Sequence, residues 1–198
     1  MKKLDAVGKQ CPIPVIMAKK EVEQGTKEFE ISVDNSYSVE NLKKFAENSK
    51  CSVSVSEENG VFTLQITATA ETNCDNVNVE CNIPSALKNW AVFVGKDVIG
   101  DGEKELGTNL IRMFFYTLSQ EADVPKYILF MNSGVNLPAL DSQVIEHLTA
   151  LESKGTEILI CGTCLNYYKI ADTPKVGKVS NMYDIVSKMK AADKVITL

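Results

Sequence analysis

Apolar side chains follow two different rules along this chain. Phe29, Ile31 and Val33 alternate with Glu30, Ser32 and Asp34, and Phe62, Leu64, Ile66 and Ala68 alternate with Thr63, Gln65 and Thr67. A period of two belongs to strands with one face buried and the other in water. Beyond residue 89 the apolar residues come in unbroken runs: Ala91-Val92-Phe93-Val94, Ile128-Leu129-Phe130-Met131 and Ile158-Leu159-Ile160. Strands without a polar face suit a parallel sheet covered by helices on both sides. The two textures predict two domains with different sheets.

The remaining segments fill in each domain. Residues 3–7 read as a short strand, and Val15, Ala18 and Val22 give a helix over 12–24 that Gly25 stops. Val39, Leu42, Phe45 and Ala46 give a second helix over 38–48, with Ser36 or Ser38 as its cap. Cys51, Val53 and Val55 alternate with serines, and Asn59-Gly60 is a strong hairpin turn. The expectation is a two-layer βαβαββ sandwich over 1–70. Residues 71–88, rich in Asn, Glu, Asp and Thr and containing Cys74, Cys81 and Pro84, read as a linker. In the second half, Leu106, Leu110, Met113 and Phe114 mark one helix. Val144, Ile145, Leu148 and Leu151 mark another, capped by Asp141 and stopped by Gly155. Met182, Ile185, Val186 and Met189 mark a third, capped near Ser180 or Asn181, and Val195-Ile196 is a final strand. Strands alternating with helices predict a three-layer α/β/α domain over 89–198 with a mainly parallel sheet. Trp90 is read as an anchor at its start.

Composition narrows the function. A net charge of -5 argues against a nucleic-acid partner. No run of about 18 apolar residues is present, so no membrane span is expected. The stretch Met1–Lys9 is charged and polar and lacks the apolar core of a signal peptide, which points to the cytoplasm. Thiols stay reduced there, so six cysteines call for thiol chemistry or metal binding rather than a disulfide framework. A single histidine, His147, leaves no His-rich metal site, and it reads as a boundary residue of its helix.

Cys11-Pro12-Ile13-Pro14 lies between the first strand and the first helix. Proline suits the first helical turn, where backbone donors have no partner. This places Cys11 at the N-cap, where the helix dipole and free N–H groups stabilise a thiolate, and a persulfide in the same way. Lys9, Lys19 and Lys20 add positive charge. The same spacing also fits an inert buried cysteine beside a proline-started helix. Leu4-Asp5, Gly8, Cys11-Pro12-Ile13-Pro14, Lys19-Lys20 and Val33-Asp34 together resemble the TusA/SirA-like sulfur-carrier family over about residues 1–70. The resemblance implies the βαβαββ fold and a persulfide carried on Cys11, with Pro12 and Pro14 beside it.

Cys161-Gly162-Thr163-Cys164 directly follows a predicted buried strand. Sites in open α/β sheets lie beyond the carboxyl ends of the strands. The loops 95–105, 132–138 and 161–168 should therefore meet at one edge, with Gly102, Asn132, Gly134 and Thr163 as candidate substrate contacts. Cys164 is expected to open a short helix, which would again favour a thiolate. The CxxC spacing allows a reversible disulfide, or a persulfide resolved by the neighbouring thiol. Tyr167 and Tyr168 are further candidates to line the site. Gly100-Asp101-Gly102, Glu105-Leu106-Gly107, Asn132-Ser133-Gly134-Val135, Cys161-Gly162-Thr163-Cys164-Leu165 and Asn181-Met182-Tyr183 resemble the DsrE/F-like family. The whole chain is similar to YedF-like proteins, which join the two domains and are associated with selenium metabolism. That resemblance implies sulfur or selenium donor and acceptor proteins as partners, chalcogen handling by Cys11, Cys161 and Cys164, and a homo-oligomer formed through the C-terminal domain.

Other motifs carry less. The glycines at 100, 102 and 107 lack GxGxxG spacing, and Asp101 and Glu103 oppose a pyrophosphate. Cys74, Cys81, Cys161 and Cys164 sum to a Cys₄ set, but six residues separate the first two, an unusual gap for zinc. Cys51 shares the apolar side of its strand with Val53 and Val55 and reads as core. Neither a metal nor another cofactor is called for. Three functions remain open: a sulfur or selenium carrier, a thiol–disulfide redox protein using the CxxC alone, and a non-enzymatic binding or regulatory module.

Overall fold

The computed structural model describes residues 1–10, 12–68 and 89–198. The chain divides into two compact units, Met1–Cys81 and Asn82–Leu198. The expected linker at 71–88, with Cys74 and Cys81, lies outside the described residues, as does Cys11.

In the first unit the alternating segments become strands. The order is β1 (Lys2–Asp5), α1 (Ile13–Glu23), β2 (Glu28–Val33), α2 (Ser36–Asn48), β3 (Cys51–Glu58) and β4 (Val61–Ala68). The sheet runs β1-β2-β4-β3, with β1 parallel to β2 and the other pairs antiparallel. Phe29, Ile31, Val33, Leu64 and Ile66 form its buried face. The core is closed by Ala18 of α1 and by Val39, Leu42 and Ala46 of α2. Asn59 and Gly60 both take positive φ, 52° and 79°, as the hairpin turn between β3 and β4 requires.

Two caps differ from the sequence reading. The first intrahelical bond of α1 runs from the Ile16 N–H to the Pro12 carbonyl at 3.0 Å, so Pro12, not Cys11, is the N-cap. Asn35, not Ser36 or Ser38, caps α2, its Oδ1 accepting from the Ser38 N–H at 2.8 Å. Asparagine reaches the third helical amide as readily as serine does, and spacing alone did not separate them. Helix α1 also buries a charge. The Glu21 side chain is 7% exposed and pairs with Lys2 at 2.7 Å, tying the start of β1 to the end of α1.

The second unit contains β5 (Trp90–Val94), α3 (Lys104–Gln120), β6 (Tyr127–Phe130), a 3₁₀ turn (Asn132–Asn136), α4 (Leu137–Leu140) and α5 (Ser142–Ser153). Then follow β7 (Glu157–Cys161), α6 (Gly162–Tyr167), β8 (Lys178–Ser180), α7 (Met182–Ala191) and β9 (Lys194–Thr197). All five strands are parallel, in the order β8-β7-β6-β5-β9. Phe130 meets Phe115 of α3 at 6.0 Å between ring centroids. Tyr127, three residues earlier and so on the opposite face, carries Lys188 of α7 at 4.8 Å from its ring centroid. Helices therefore cover both faces, and the unbroken apolar runs are explained. Asp141 and Asn181 cap α5 and α7 as their positions suggested. Strands as short as β8, and helices as short as α4, carry too few residues for a period to show.

Trp90 opens β5 and is the chain's one tryptophan, so it reports on this unit. Phe130→Ala leaves a cavity between β6 and α3 and should cost about 3–5 kcal/mol. Urea unfolding followed by Trp90 fluorescence should show a clearly lower midpoint. An unchanged midpoint would contradict the packing described.

Candidate functional site

In the first unit, β1 and β2 are parallel, so their carboxyl ends share one edge, and the residues leading to Cys11 are fastened there. The Ala6 N–H donates to the Ser32 carbonyl at 2.9 Å, and the Gly8 N–H donates to Asp34 Oδ2 at 2.8 Å. Gly8 has φ 75°, a left-handed conformation. On the far side of Cys11, the Ile13 N–H donates to the Gln10 carbonyl at 3.0 Å. Hydrogen bonds from Asn35 and from Gly8 hold the Asp34 carboxyl below its ordinary value. Of the three lysines expected to add charge, Lys9 lies in this loop. Lys19 is about 9 Å along α1 from its first residue and pairs with Glu23 at 3.9 Å, with Lys20 following it.

Cys51 behaves as expected of a core residue. It is buried, its Sγ donates to the Ser49 carbonyl at 3.5 Å, and burial pushes its thiol pKa up.

In the second unit the three expected loops do meet. The Asp97 N–H, after β5, donates to Ser133 Oγ at 3.2 Å, and Asn136 Nδ2 donates to Asp97 Oδ2 at 3.2 Å. The Asn132 N–H donates to Cys164 Sγ at 3.2 Å, and the Tyr168 hydroxyl donates to Asn132 Oδ1 at 3.0 Å. Gly134 is pressed against β5: a Cβ there would collide with the Val94 carbonyl oxygen. Cys161 ends β7 as the N-cap of α6 and is 2% exposed. Cys164 is half-buried, with Thr163 exposed beside it.

The expected thiolate at Cys164 is corrected here. Cys164 does not open α6, which begins at Gly162. Burial, then a hydrogen bond with Cys161, push its thiol pKa up, and the Asn132 amide only partly opposes them. Gly102 is exposed, with nothing within 4 Å of a Cβ placed there. Tyr167 is 80% exposed and meets Tyr168 edge-on. His147 is half-buried against Tyr116, with burial lowering its pKa, and lies in α5. The latch of Ser133 and Asn136 onto Asp97 was not foreseen. Its signal was the polar run Asn132-Ser133-Gly134-Val135-Asn136, a turn composition. Among the described residues no three His, Cys, Asp or Glu side chains gather as a metal site, and no helix is long and apolar enough to cross a membrane.

Two small α/β domains, one whose sequence carries Cys11 between its first strand and first helix and one with a thiol pair beside an amide donor, define a class of two-domain thiol proteins. Residues 2–68 match the model of the family described as sulfurtransferase TusA, and residues 108–198 match that of the DsrE/DsrF-like family. A Methanocaldococcus jannaschii protein described as a "putative sulfur carrier protein" is 43% identical over 60 residues, 29% of this chain and 80% of that one. The SirA-like protein of Desulfitobacterium hafniense is 40% identical, covering 34% of this chain and 97% of that one, with a TM-score of 0.33. The ychN protein of E. coli is 19% identical, covering 56% of this chain and 99% of that one, with a TM-score of 0.43. The chain belongs to the TusA family through its N-terminal domain, which is fused to a DsrE/DsrF-like domain.

Asp34 links the Cys11 loop to pH. Its folded pKa is depressed, so its contribution is whole above the ordinary value of 3.8 and is lost as pH falls through the lower folded value. The Gly8 amide resonance should follow this titration, with its inflection below 3.8. Asp34→Ala should abolish the inflection, and one at or above the ordinary value would contradict the contact.

Proposed function

We propose that this protein is a sulfur carrier in which Cys11 is the primary carrier and the Cys161–Cys164 pair a second chalcogen station. The observation that carries the reading is the sequence Cys11-Pro12-Ile13-Pro14, between β1 and α1 in chain order, in a chain whose N-terminal domain belongs to the TusA family. The thiolate of Cys11 attacks the outer sulfur of a donor persulfide. The donor's S–S bond breaks, its thiolate leaves, and Cys11 holds the sulfur as a persulfide. An acceptor thiol reverses the step, with no net oxidation.

Cys164, half-buried at the meeting of three loops, takes the same role in the second domain. Pro12 and Pro14 shape the first site, and Asn132, Gly134 and Thr163 border the second. A persulfide on Cys164 has a second fate: Cys161 attacks Sγ of Cys164, hydrosulfide leaves, and a Cys161–Cys164 disulfide remains for an external dithiol to reduce. Selenium in place of sulfur, donor and acceptor proteins as partners, and assembly of like chains through the C-terminal domain belong to the same proposal. A reducing compartment such as the cytoplasm suits this chemistry. The buried Cys161 beside the half-buried Cys164 also favours a second reading, a thiol–disulfide redox protein acting through the pair alone.

Incubation of the reduced protein with a persulfide donor, or with selenite and thiol, followed by peptide mass analysis separates these readings. A gain of about 32 Da, or about 80 Da for selenium, on Cys11 is expected, and Cys11→Ser should abolish it. A loss of about 2 Da confined to the CxxC peptide would favour the redox reading. Neither change would leave a binding module. Cys11 should also alkylate faster at neutral pH than Cys51, whose thiol burial pushes up. Equal, slow rates would count against the carrier.

A further inference from the structure

We propose that the backbone amide of Asn132 is a catalytic donor to the Cys164 sulfur, aimed by Tyr168 as a positioning residue, and that it stabilises this sulfur as a leaving group when a carried chalcogen passes to an acceptor thiol. The inference rests on the reading of Cys164 as a chalcogen station and adds the device that discharges it.

The geometry is unusually determined for a loop. Asn132 begins a 3₁₀ turn, so its N–H finds no acceptor within that turn. It takes φ 49°, a left-handed conformation uncommon for a residue with a side chain, though asparagine tolerates it best. That backbone aims the N–H at Cys164 Sγ, 3.2 Å away. Two contacts hold it there: Tyr168 donates to the carboxamide at 3.0 Å, and Gly134 fits against the Val94 carbonyl. Tyr168 lies one turn beyond Cys164, with its N–H bonded to the Cys164 carbonyl at 3.0 Å. The strut therefore returns to the segment that carries the sulfur it serves.

The chemistry needs such a donor. In discharge, an acceptor thiolate attacks the outer sulfur of the Cys164 persulfide. A new S–S bond forms on the acceptor, the bond between the outer sulfur and Sγ breaks, and Sγ leaves as a thiolate that takes a proton from water. The electron pair of the broken bond stays on Sγ, and nothing is oxidised or reduced overall. A thiol with a raised pKa is a poor leaving group. Burial and Cys161 both raise that of Cys164, and among the described residues Cys161 is the group whose charge bears on it. A fixed donor at the atom where charge develops offsets this without reorganisation.

The test uses the full chain as wild type, Tyr168→Phe, Asn132→Gly and the double variant. Asn132→Gly keeps the amide, suits the left-handed backbone and removes the carboxamide that Tyr168 holds. Two quantities are read on the Cys164 peptide: the pH profile of alkylation by iodoacetamide, and the rate at which sulfur loaded from inorganic polysulfide passes to glutathione. Tyr168→Phe should move the alkylation profile to higher pH and slow transfer about three- to tenfold. Asn132→Gly should act in the same direction, and the double variant should be no worse than the more affected single one, because both cut one strut. An unchanged profile and rate in Tyr168→Phe would overturn the proposal, even alongside a lowered melting temperature, which would mark Tyr168 as packing alone. Additive losses would overturn it too. Should wild-type Cys164 take up no sulfur, the station reading falls, and the alkylation profiles alone decide whether the amide governs this thiol.

Discussion

The second domain depends on a contact between backbone and backbone. Gly134 lies so close to the carbonyl of Val94 that any side chain at that position would occupy the oxygen's place. The turn after β6 is thereby set against the end of β5, and the latch from Asp97 to Ser133 and Asn136 closes the same seam. Only with that turn fixed does the Asn132 amide meet a sulfur that belongs to a third strand's loop. A contact between backbones thus sets where the Asn132 amide meets the Cys164 sulfur.

The first domain solves a similar problem with fewer parts. Its two parallel strands bring Asp5 and Asp34 to one edge, and each carboxylate takes a backbone N–H of the loop that follows β1, Val7 and Gly8 respectively. The described part of the loop is thus held through its backbone. In the second domain the thiol pair sits at the end of a buried strand, and burial pushes the Cys164 thiol toward its protonated form. The two sheet edges therefore differ: carboxylates hold the backbone of one, and the other lies at the boundary of an apolar core.

Much of the fold was legible because burial writes itself into spacing. Alternation at Phe29–Val33 and Phe62–Ala68 named strands with one wet face, and unbroken runs at Ala91–Val94 and Ile128–Met131 named a parallel sheet. The Asn59-Gly60 turn and the Asp141 cap were visible because few residues supply positive φ or an N-terminal acceptor. What escaped was what depends on contacts distant in sequence. Nothing in the spacing marks Glu21 as buried; its partners, the half-exposed Lys2 and Thr26, are brought to it by the fold. The raised pKa of Cys164 was missed because helix position suggested a lowered one, while burial, which spacing does not disclose, outweighs it. Asn132 was recognisable as a turn residue, but the direction of its N–H was not.

The unequal burial of Cys161 and Cys164 imposes an order of events. A peroxide reaching this edge meets Cys164 first, because Cys161 is all but closed to solvent. A sulfenic acid on Cys164 would have the Cys161 thiol as its neighbour, and condensation with a thiol is the reversible branch of sulfur oxidation. Unequal burial thus sets the two thiols apart in exposure to any reagent: the less buried sulfur is also the one with a second thiol beside it.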